Sequence, residues 1–505
     1  MNAVSIRSLD LAMVAIYLLG MLGAGLWFSR RNYSTEKYFL GGRSFPGWVI
    51  GLSMLGTSIS SVTFLAFPAA AYVLDWRQLV PNLMLPFIAV LAIIVFIPFF
   101  RRPGLTSAFE YLEDRFGKGA RIYGALSFVF LQFIRLGKVL FLVSIPVSLM
   151  TGIEMKYVII GVGIFIAFYT VVGGFEAVIW TDLVQSIVLL LGGAFCAFYV
   201  ALKLPGGLEQ IIEVSTQNEK FSLGPTRFNL TERTFWTVAL LGIFNWLAYL
   251  SSDQNIVQRY VASKTDREAR RATAIYAAVA LPTWILFFFI GTCVFVWYQV
   301  RPDSVVANLE PDQVFPYFLL TTIPAGLAGM TIAGVLAAAM SSLDSSINAI
   351  STVVVVDVLK SWLAKGRNDR FYLFAARCVG IGAAVLMIGG AILFSSIKKE
   401  SMNDLSWIIA SVFGGCLVGL FMVGFFTKRV DSFSAMVALV LSIVINVYLG
   451  LGVAKCLPES LTIPIHSYWV GLFVNLAFVV IAVTISVFRK QKRKLKGLTI
   501  WTIKA

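Results

Sequence analysis

Two short runs concentrate oxygen-bearing side chains inside stretches that are otherwise apolar. The first is Thr57-Ser58-Ile59-Ser60-Ser61-Val62-Thr63 and the second is Ser341-Ser342-Leu343-Asp344-Ser345-Ser346. Hydroxyls and a carboxylate at bilayer depth are costly unless they meet a cavity, a partner or an ion. Ser341, Ser342 and Ser345 stand at i, i+1 and i+4, so a helix presents them as one oxygen-rich stripe. Oxygen donors without thiolate or imidazole suit a small hard cation. The expected chemistry is ion binding coupled to the passage of a solute. Arg135, in Phe128-Val129-Phe130-Leu131-Gln132-Phe133-Ile134-Arg135-Leu136-Gly137, lies too deep in its apolar stretch to reach either surface easily. Its guanidinium needs an anion, and a carboxylate gripped by both prongs is its best geometric partner. Lys138, one turn on, raises the positive potential. An internal salt bridge to Asp182 or Asp344 is the structural alternative.

The elements that must position these groups are membrane helices. The chain of 505 residues is 58% hydrophobic and 13% charged, with mean hydropathy +0.84, outside the balance of soluble domains. Windows of membrane-crossing length fall at 9–28, 46–72, 79–100, 123–150, 157–172, 182–203, 234–252, 272–298, 322–357, 370–396, 404–426, 432–452 and 467–488, predicting thirteen spans in one membrane domain. With the amino terminus outside, the inner loops and tail hold 27 of the 41 Lys and Arg residues. The positive-inside rule therefore places the amino terminus outside and the carboxyl terminus in the cytoplasm, in a cell (plasma or inner) membrane. An odd number of spans agrees. The net charge of +15 is accounted for by this topogenic bias, with the basic tail 489–505 also suited to anionic lipid; neither a nucleic acid nor an obligate protein partner is implied.

Enzyme chemistry finds no support. No phosphate-binding loop occurs, and Gly415 with Gly419 reads as helix packing. The five cysteines are scattered and form no disulfide or zinc pattern, and the single histidine, His466, falls near the outer end of the last span. Residues 9–28 are long enough to span and carry no cleavage site. A channel would favour rings of charge or symmetric filter motifs.

Setting aside the first span and the last two leaves ten, divisible as five plus five. A polar-interrupted span opens each half: 46–72 in the first, and 234–252, with Asn245 inside it and Ser251-Ser252-Asp253 after it, in the second. Interrupted helices in corresponding positions point to an inverted-repeat transporter with a midplane site. The expected organisation is an extra helix at 9–28, repeats over 46–203 and 234–426, two further helices over 432–488, and a cytoplasmic tail.

Tyr169-Thr170-Val171-Val172-Gly173-Gly174-Phe175-Glu176-Ala177-Val178-Ile179-Trp180-Thr181-Asp182 resembles the hallmark of the sodium:solute symporter family. Phe99-Phe100-Arg101-Arg102, Glu110-Tyr111-Leu112-Glu113-Asp114-Arg115-Phe116 and Asp253-Gln254-Asn255-Ile256-Val257-Gln258-Arg259-Tyr260 fit the same family in the same order. The resemblance implies an all-α, polytopic, LeuT-like core of two inverted five-helix repeats, sodium coupling and no enzymatic activity. It also implies a principal sodium site at the carbonyls of Gly56, Ile59 and Ala338 and the hydroxyls of Ser341 and Ser342. Ala338, Ser341, Ser342 and Ser345 follow i, i+3, i+4, i+7 and share a face. Close helix packing by small residues is the alternative use of that face.

The chain is most similar to the sialic acid symporters within the family. That likeness implies a second sodium site at Asp182, Ser341, Asp344 and Ser345, although Asp344 stands where a serine is expected. One sodium charge does not neutralise two carboxylates, so Asp344 either strengthens a cation site or pairs with a basic residue. The likeness also gives Arg135 to a solute carboxylate, within a solute-binding set of Thr57, Ser58, Ser60, Thr63, Gln78, Asn82, Arg135 and Asn245. Asn82 replaces the expected Gln. The implied activity is import of a carboxylated sugar such as N-acetylneuraminate by alternating access. A neutral sugar, myo-inositol or a monocarboxylate are the competing solutes.

Overall fold

A computed structural model describes residues 7–29, 34–101, 105–396, 415–453, 456–489 and 494–503. Its principal helices are α1 (Ser8–Ser29), α2 (Gly47–Ser58), α3 (Phe67–Val73), α4 (Trp76–Phe100), α5 (Lys118–Thr151), α6 (Met155–Lys203) and α7 (Phe235–Ser252). They continue with α8 (Gln254–Ala262), α9 (Asp266–Val300), α10 (Leu327–Val353), α11 (Asp369–Ser395), α12 (Leu417–Phe426), α13 (Ser432–Val453) and α14 (Tyr468–Val487). No strand occurs among the described residues, only an isolated bridge between Phe45 and Ser263.

Ten of these helical runs are long and apolar enough to cross a membrane, and an eleventh is the pair Gly47–Ser58 and Val62–Val73, bent by 61° at its break. Two features explain why this is fewer than the thirteen expected. The windows 157–172 and 182–203 join in α6, whose 49 residues would extend roughly 74 Å if straight, more than twice a hydrocarbon core of about 30 Å. A break at Gly174, φ 66° and ψ −171°, divides it in conformations that a side chain would resist. Of the window 404–426, the described part is α12 with its preceding turn, and 404–414 lies outside the described residues. The total of thirteen is therefore not fixed by the described helices.

Local sequence explains the helix boundaries. Ser107 and Glu110 form a reciprocal capping box before the short helix Ala108–Phe116, and Thr265 caps α9 through the Glu268 amide, each satisfying amides that a helix start leaves free. α10 is apolar or small on every side and buried almost throughout. It packs most extensively against α6 and also meets α1 and α5. Its amino terminus is capped from another helix: Asp10 Oδ1 on α1 accepts from the amides of Gly326 and Gly329, each at 2.7 Å. Arg7 pairs with Asp10 at 2.6 Å and donates to the carbonyls of Leu320 and Ile323. A carboxylate at a helix amino terminus is favourable for both hydrogen bonding and the helix dipole.

The second half of the broken pair is held by close backbone approach. A methyl group on Gly291 of α9 would overlap the Pro68 carbonyl oxygen of α3. Gly291→Ala is therefore expected to push α9 from α3 and to destabilise the protein by about 1–3 kcal/mol. Thermal unfolding in detergent reads this directly, and an unchanged midpoint would show that the helices can separate without loss.

Candidate functional site

The site begins where α2 stops. Ile59 adopts an extended conformation, φ −91° and ψ 116°, and the chain resumes in a π-turn over Val62–Ala66 before α3. An interrupted helix leaves carbonyls without intrahelical partners, and in this protein α10 meets them. Ser341 Oγ donates to Gly56 O at 2.7 Å and to Ala338 O at 3.1 Å. Ser342 Oγ donates to Thr57 O at 3.0 Å and Ile59 O at 3.4 Å. All five groups of the expected principal sodium site thus converge. Three carbonyls and two hydroxyls form a neutral, all-oxygen donor set, which fits a monovalent hard cation. Rotation of the two hydroxyl protons away from the carbonyls would turn every oxygen lone pair inward.

Asp182 lies directly behind this cradle. An added Cβ on Gly56 would stand 3.0 Å from Ser186 Oγ and 3.3 Å from the Asp182 Cβ. Asp182 is fully buried; its Oδ2 accepts from Ser53 Oγ at 2.5 Å and from Arg259 Nη2 at 2.7 Å. Arg259 also donates to Ser345 Oγ at 2.8 Å, Ser53 Oγ at 2.9 Å and the Asn255 carbonyl at 2.8 Å. Ser345 Oγ in turn lies 3.0 Å from Thr57 Oγ1. Arg259 therefore stands among the residues expected to form the second sodium site, joining α2, α6, α8 and α10. Asp344 faces elsewhere: its Oδ2 accepts from Tyr169 at 2.9 Å and its Oδ1 from the Ser345 amide. It forms no ion pair with any described residue. The Asp182 Oδ1 atom is buried without a hydrogen-bond partner.

A cavity of about 300 Å³ opens on the other side of the break, between α5, α7 and α3. That volume suits a small organic molecule. Six of the eight expected solute-binding residues line it: Ser58, Ser60, Thr63, Asn82, Arg135 and Asn245. The other two do not. Thr57 turns its hydroxyl to Ser345 and offers only its carbonyl, which accepts from Arg135 Nη2 at 2.6 Å. Gln78 is buried in the turn Trp76–Leu79 and is not part of the lining. Arg135 forms no ion pair with any described residue, so the expected alternative, a salt bridge to Asp182 or Asp344, is not made; Arg259 takes Asp182 instead. Trp246, Tyr249 and Trp284 add an aromatic wall, with the two indoles 5.2 Å apart. Thr57 O is shared: Arg135 on the solute side and Ser342 on the ion side both donate to it.

Sequence reasoning missed Arg259, Ser53 and Tyr169. The signal for Arg259 lies in Asp253-Gln254-Asn255-Ile256-Val257-Gln258-Arg259-Tyr260, a motif that carries the family resemblance but by itself gives Arg259 no partner.

A broken helix, an oxygen cradle and an adjoining solute cavity with an unpaired guanidinium define an ion-coupled membrane transporter. Residues 38–442 match the sequence profile of the sodium:solute symporter family, and the chain belongs to that family. It is 33% identical over 432 residues to the sodium/sialic acid symporter SiaT of Proteus mirabilis (strain HI4320), spanning 85% of this chain and 86% of that protein. It is 30% identical over 447 residues to the sodium/sialic acid symporter NanT of Aliivibrio fischeri (strain ATCC 700601 / ES114), spanning 88% of each. The structure also superposes on a substrate-bound, outward-open sodium-coupled sialic acid symporter in which a novel sodium site was found. That match has a TM-score of 0.87 and 30% identity over 96% of this chain and 99% of the other. The all-helical LeuT-like fold, the multi-pass membrane character and a transport rather than enzymatic role follow.

Proposed function

We propose that this chain is a sodium-driven symporter that imports a carboxylated sugar, N-acetylneuraminate, by alternating access. The observation that carries the reading is Arg135: a partly buried guanidinium lining the cavity, one prong fixed on Thr57 O and in no ion pair with a described carboxylate. A guanidinium so placed holds an acid with charge-assisted, directional bonds. The relatives named above, which carry sialic acid, support the same solute.

Sodium at Gly56, Ile59, Ala338, Ser341 and Ser342 ties α2 to α10. A second sodium at Asp182, Ser341 and Ser345 would share Asp182 and Ser345 with Arg259, and Asp344 would have to turn from Tyr169 to join them. Because the Thr57 peptide serves both the cation cradle and Arg135, filling one side orders the other. By linkage, sodium then tightens the solute as much as the solute tightens sodium. The positive-inside bias supports an external amino terminus, so the solute and sodium enter from outside and leave into the cytoplasm, where low sodium favours release. The paired repeats at 46–203 and 234–426 interlock, with α2, α3 and α4 packed on α7 and α9 and with α5 and α6 packed on α10 and α11. Each repeat therefore contributes helices to both of the bodies that move; 9–28 and 432–488 flank them.

Uptake of N-acetylneuraminate into proteoliposomes under an inward sodium gradient tests the reading. A monocarboxylate and a neutral hexose serve as competitors. Uptake indifferent to sodium, or competed by the hexose and not by acids, would overturn it. Within the same assay, Ser341→Ala/Ser342→Ala removes two of five oxygens while leaving helix propensity intact. At about 1 kcal/mol per lost ligand the sodium concentration for half-maximal uptake should rise about 30-fold. An unchanged sodium dependence would move the ion elsewhere.

A further inference from the structure

Gln132, Arg135 and Lys138 fall at i, i+3 and i+6 along α5, and all three line the solute cavity. Lys138 makes no hydrogen bond or ion pair with any described residue. An ammonium drawn partly out of water is costly unless an anion joins it. The cavity contains one carboxylate among its described lining residues, Asp253, at the junction of α7 and α8. One oxygen of Asp253 is spent on capping α8: Oδ1 accepts from the Asn255 amide and from Asn255 Nδ2, both at 2.8 Å. The other, Oδ2, has only a long 3.4 Å approach from Gln132 Nε2. That contact orients the Gln132 amide and leaves its Oε1 buried with no partner. Asn82 Nδ2, across the cavity, is likewise buried and unpartnered.

We infer that Lys138, Gln132 and Asp253 determine the solute class: an acid with one net negative charge whose remaining body carries hydroxyl or amide N–H donors. The inference rests on the symporter reading above and extends it to residues that the likeness to sialic acid symporters did not assign. Two cations and one carboxylate leave the cavity with a single positive charge, which one carboxylate balances. Arg135 is already held at one prong by Thr57, so Lys138 supplies the second positive contact to that acid, one turn along α5. The Gln132 and Asp253 acceptors then require donors. A neutral sugar satisfies the acceptors and strands the charge. A simple monocarboxylate satisfies the charge and strands the acceptors, and an unpaired buried acceptor is penalised more than a made bond is rewarded. A polyhydroxy acid satisfies both.

The test is equilibrium binding to the purified full-length protein at fixed sodium, read by calorimetry. The probes are N-acetylneuraminate, butyrate and N-acetylmannosamine, against wild type, Lys138→Met and Asp253→Asn. Lys138→Met should weaken N-acetylneuraminate and butyrate by at least about tenfold and leave N-acetylmannosamine unchanged. Asp253→Asn keeps the cap oxygen and should narrow the preference for N-acetylneuraminate over butyrate by about tenfold. Lys138→Gln, with a sodium-dependent thermal shift as the folding control, replaces Lys138→Met if that variant does not fold. Wild-type affinities in Lys138→Met, or equal losses for all three probes, overturn the inference while leaving the symporter reading intact. Failure of wild type to bind N-acetylneuraminate overturns the symporter reading instead, and retained charge selectivity for butyrate in Lys138→Met then overturns the inference too. Wild-type binding of N-acetylmannosamine alone overturns both.

Discussion

Arg259→Met lowers the stability of the folded protein by about 3–5 kcal/mol, the range expected when one partner of a buried ion pair is removed. Both side chains are essentially inaccessible, 1% exposed for Arg259 and 0% for Asp182. The substitution keeps an apolar stem of similar reach and leaves the Asp182 carboxylate with Ser53 as its remaining donor. It also removes the donor to Ser345, whose hydroxyl touches Thr57 beside the ion cradle. Thermal unfolding in detergent measures the loss. The double variant Asp182→Asn/Arg259→Met should regain most of it, because no unpaired charge remains. A single variant as stable as wild type would show that another cation or water neutralises Asp182. Arg259→Lys should fall between, since a lysine supplies the charge without the planar fork that serves Asp182, Ser345 and Ser53 together.

Arg135→Ala abolishes measurable high-affinity binding of an acidic solute, and Arg135→Lys weakens it by about 2–3 kcal/mol, or about 30- to 150-fold. Lysine keeps the charge and loses the second prong, so Thr57 O and the solute carboxylate can no longer be held by one rigid group. The two variants should also reduce sodium affinity measured in the presence of solute, since solute and sodium binding are reciprocal. Calorimetry with N-acetylneuraminate and with a neutral hexose separates the roles. Equal affinities of wild type and Arg135→Ala for the acid would make Arg135 a structural cation whose task is to hold the break at Thr57. A hexose bound as well as the acid would transfer the chain to the neutral-sugar symporters.

The cation cradle was legible in the sequence because both of its halves are short-range patterns. Ala338, Ser341 and Ser342 share a helix face by spacing alone, and the polar run at 57–63 announced an interrupted helix. What joins them is tertiary, and the family resemblance supplied that pairing. Arg135 was legible because a guanidinium in the middle of an apolar window has no cheap structural explanation. Arg259 was not, because its window is short and polar, and nothing local says that the short helix α8 folds back against Ser53 and Asp182. Thr57 and Gln78 enter the solute set through the likeness, yet Thr57, at a helix break, can present either its carbonyl or its hydroxyl, and Gln78 sits in a turn beside the cavity; only packing decides such cases. The two predicted spans within α6 are the converse case: the windows stop at 172 and restart at 182, and the break at Gly174 falls between them.

The Asp10 carboxylate at the head of α10 has a geometric consequence for ion binding. From Gly329 to Ser341 the helix runs 12 residues, or roughly 18 Å at 1.5 Å per residue. The carboxylate seat on α1 acts as a fulcrum, and the two serine hydroxyls ride at the far end of the arm. A change of about 5° in the seat carries those oxygens about 1.5 Å sideways, several times the 0.3 Å or so over which oxygen–cation distances vary in hard-cation sites. Asp10→Ala, remote from every ligand, should therefore register first as an altered apparent sodium affinity in uptake, before the protein loses its fold. Such a result would place the pivot of the cation cradle on a helix outside the expected ten-helix core.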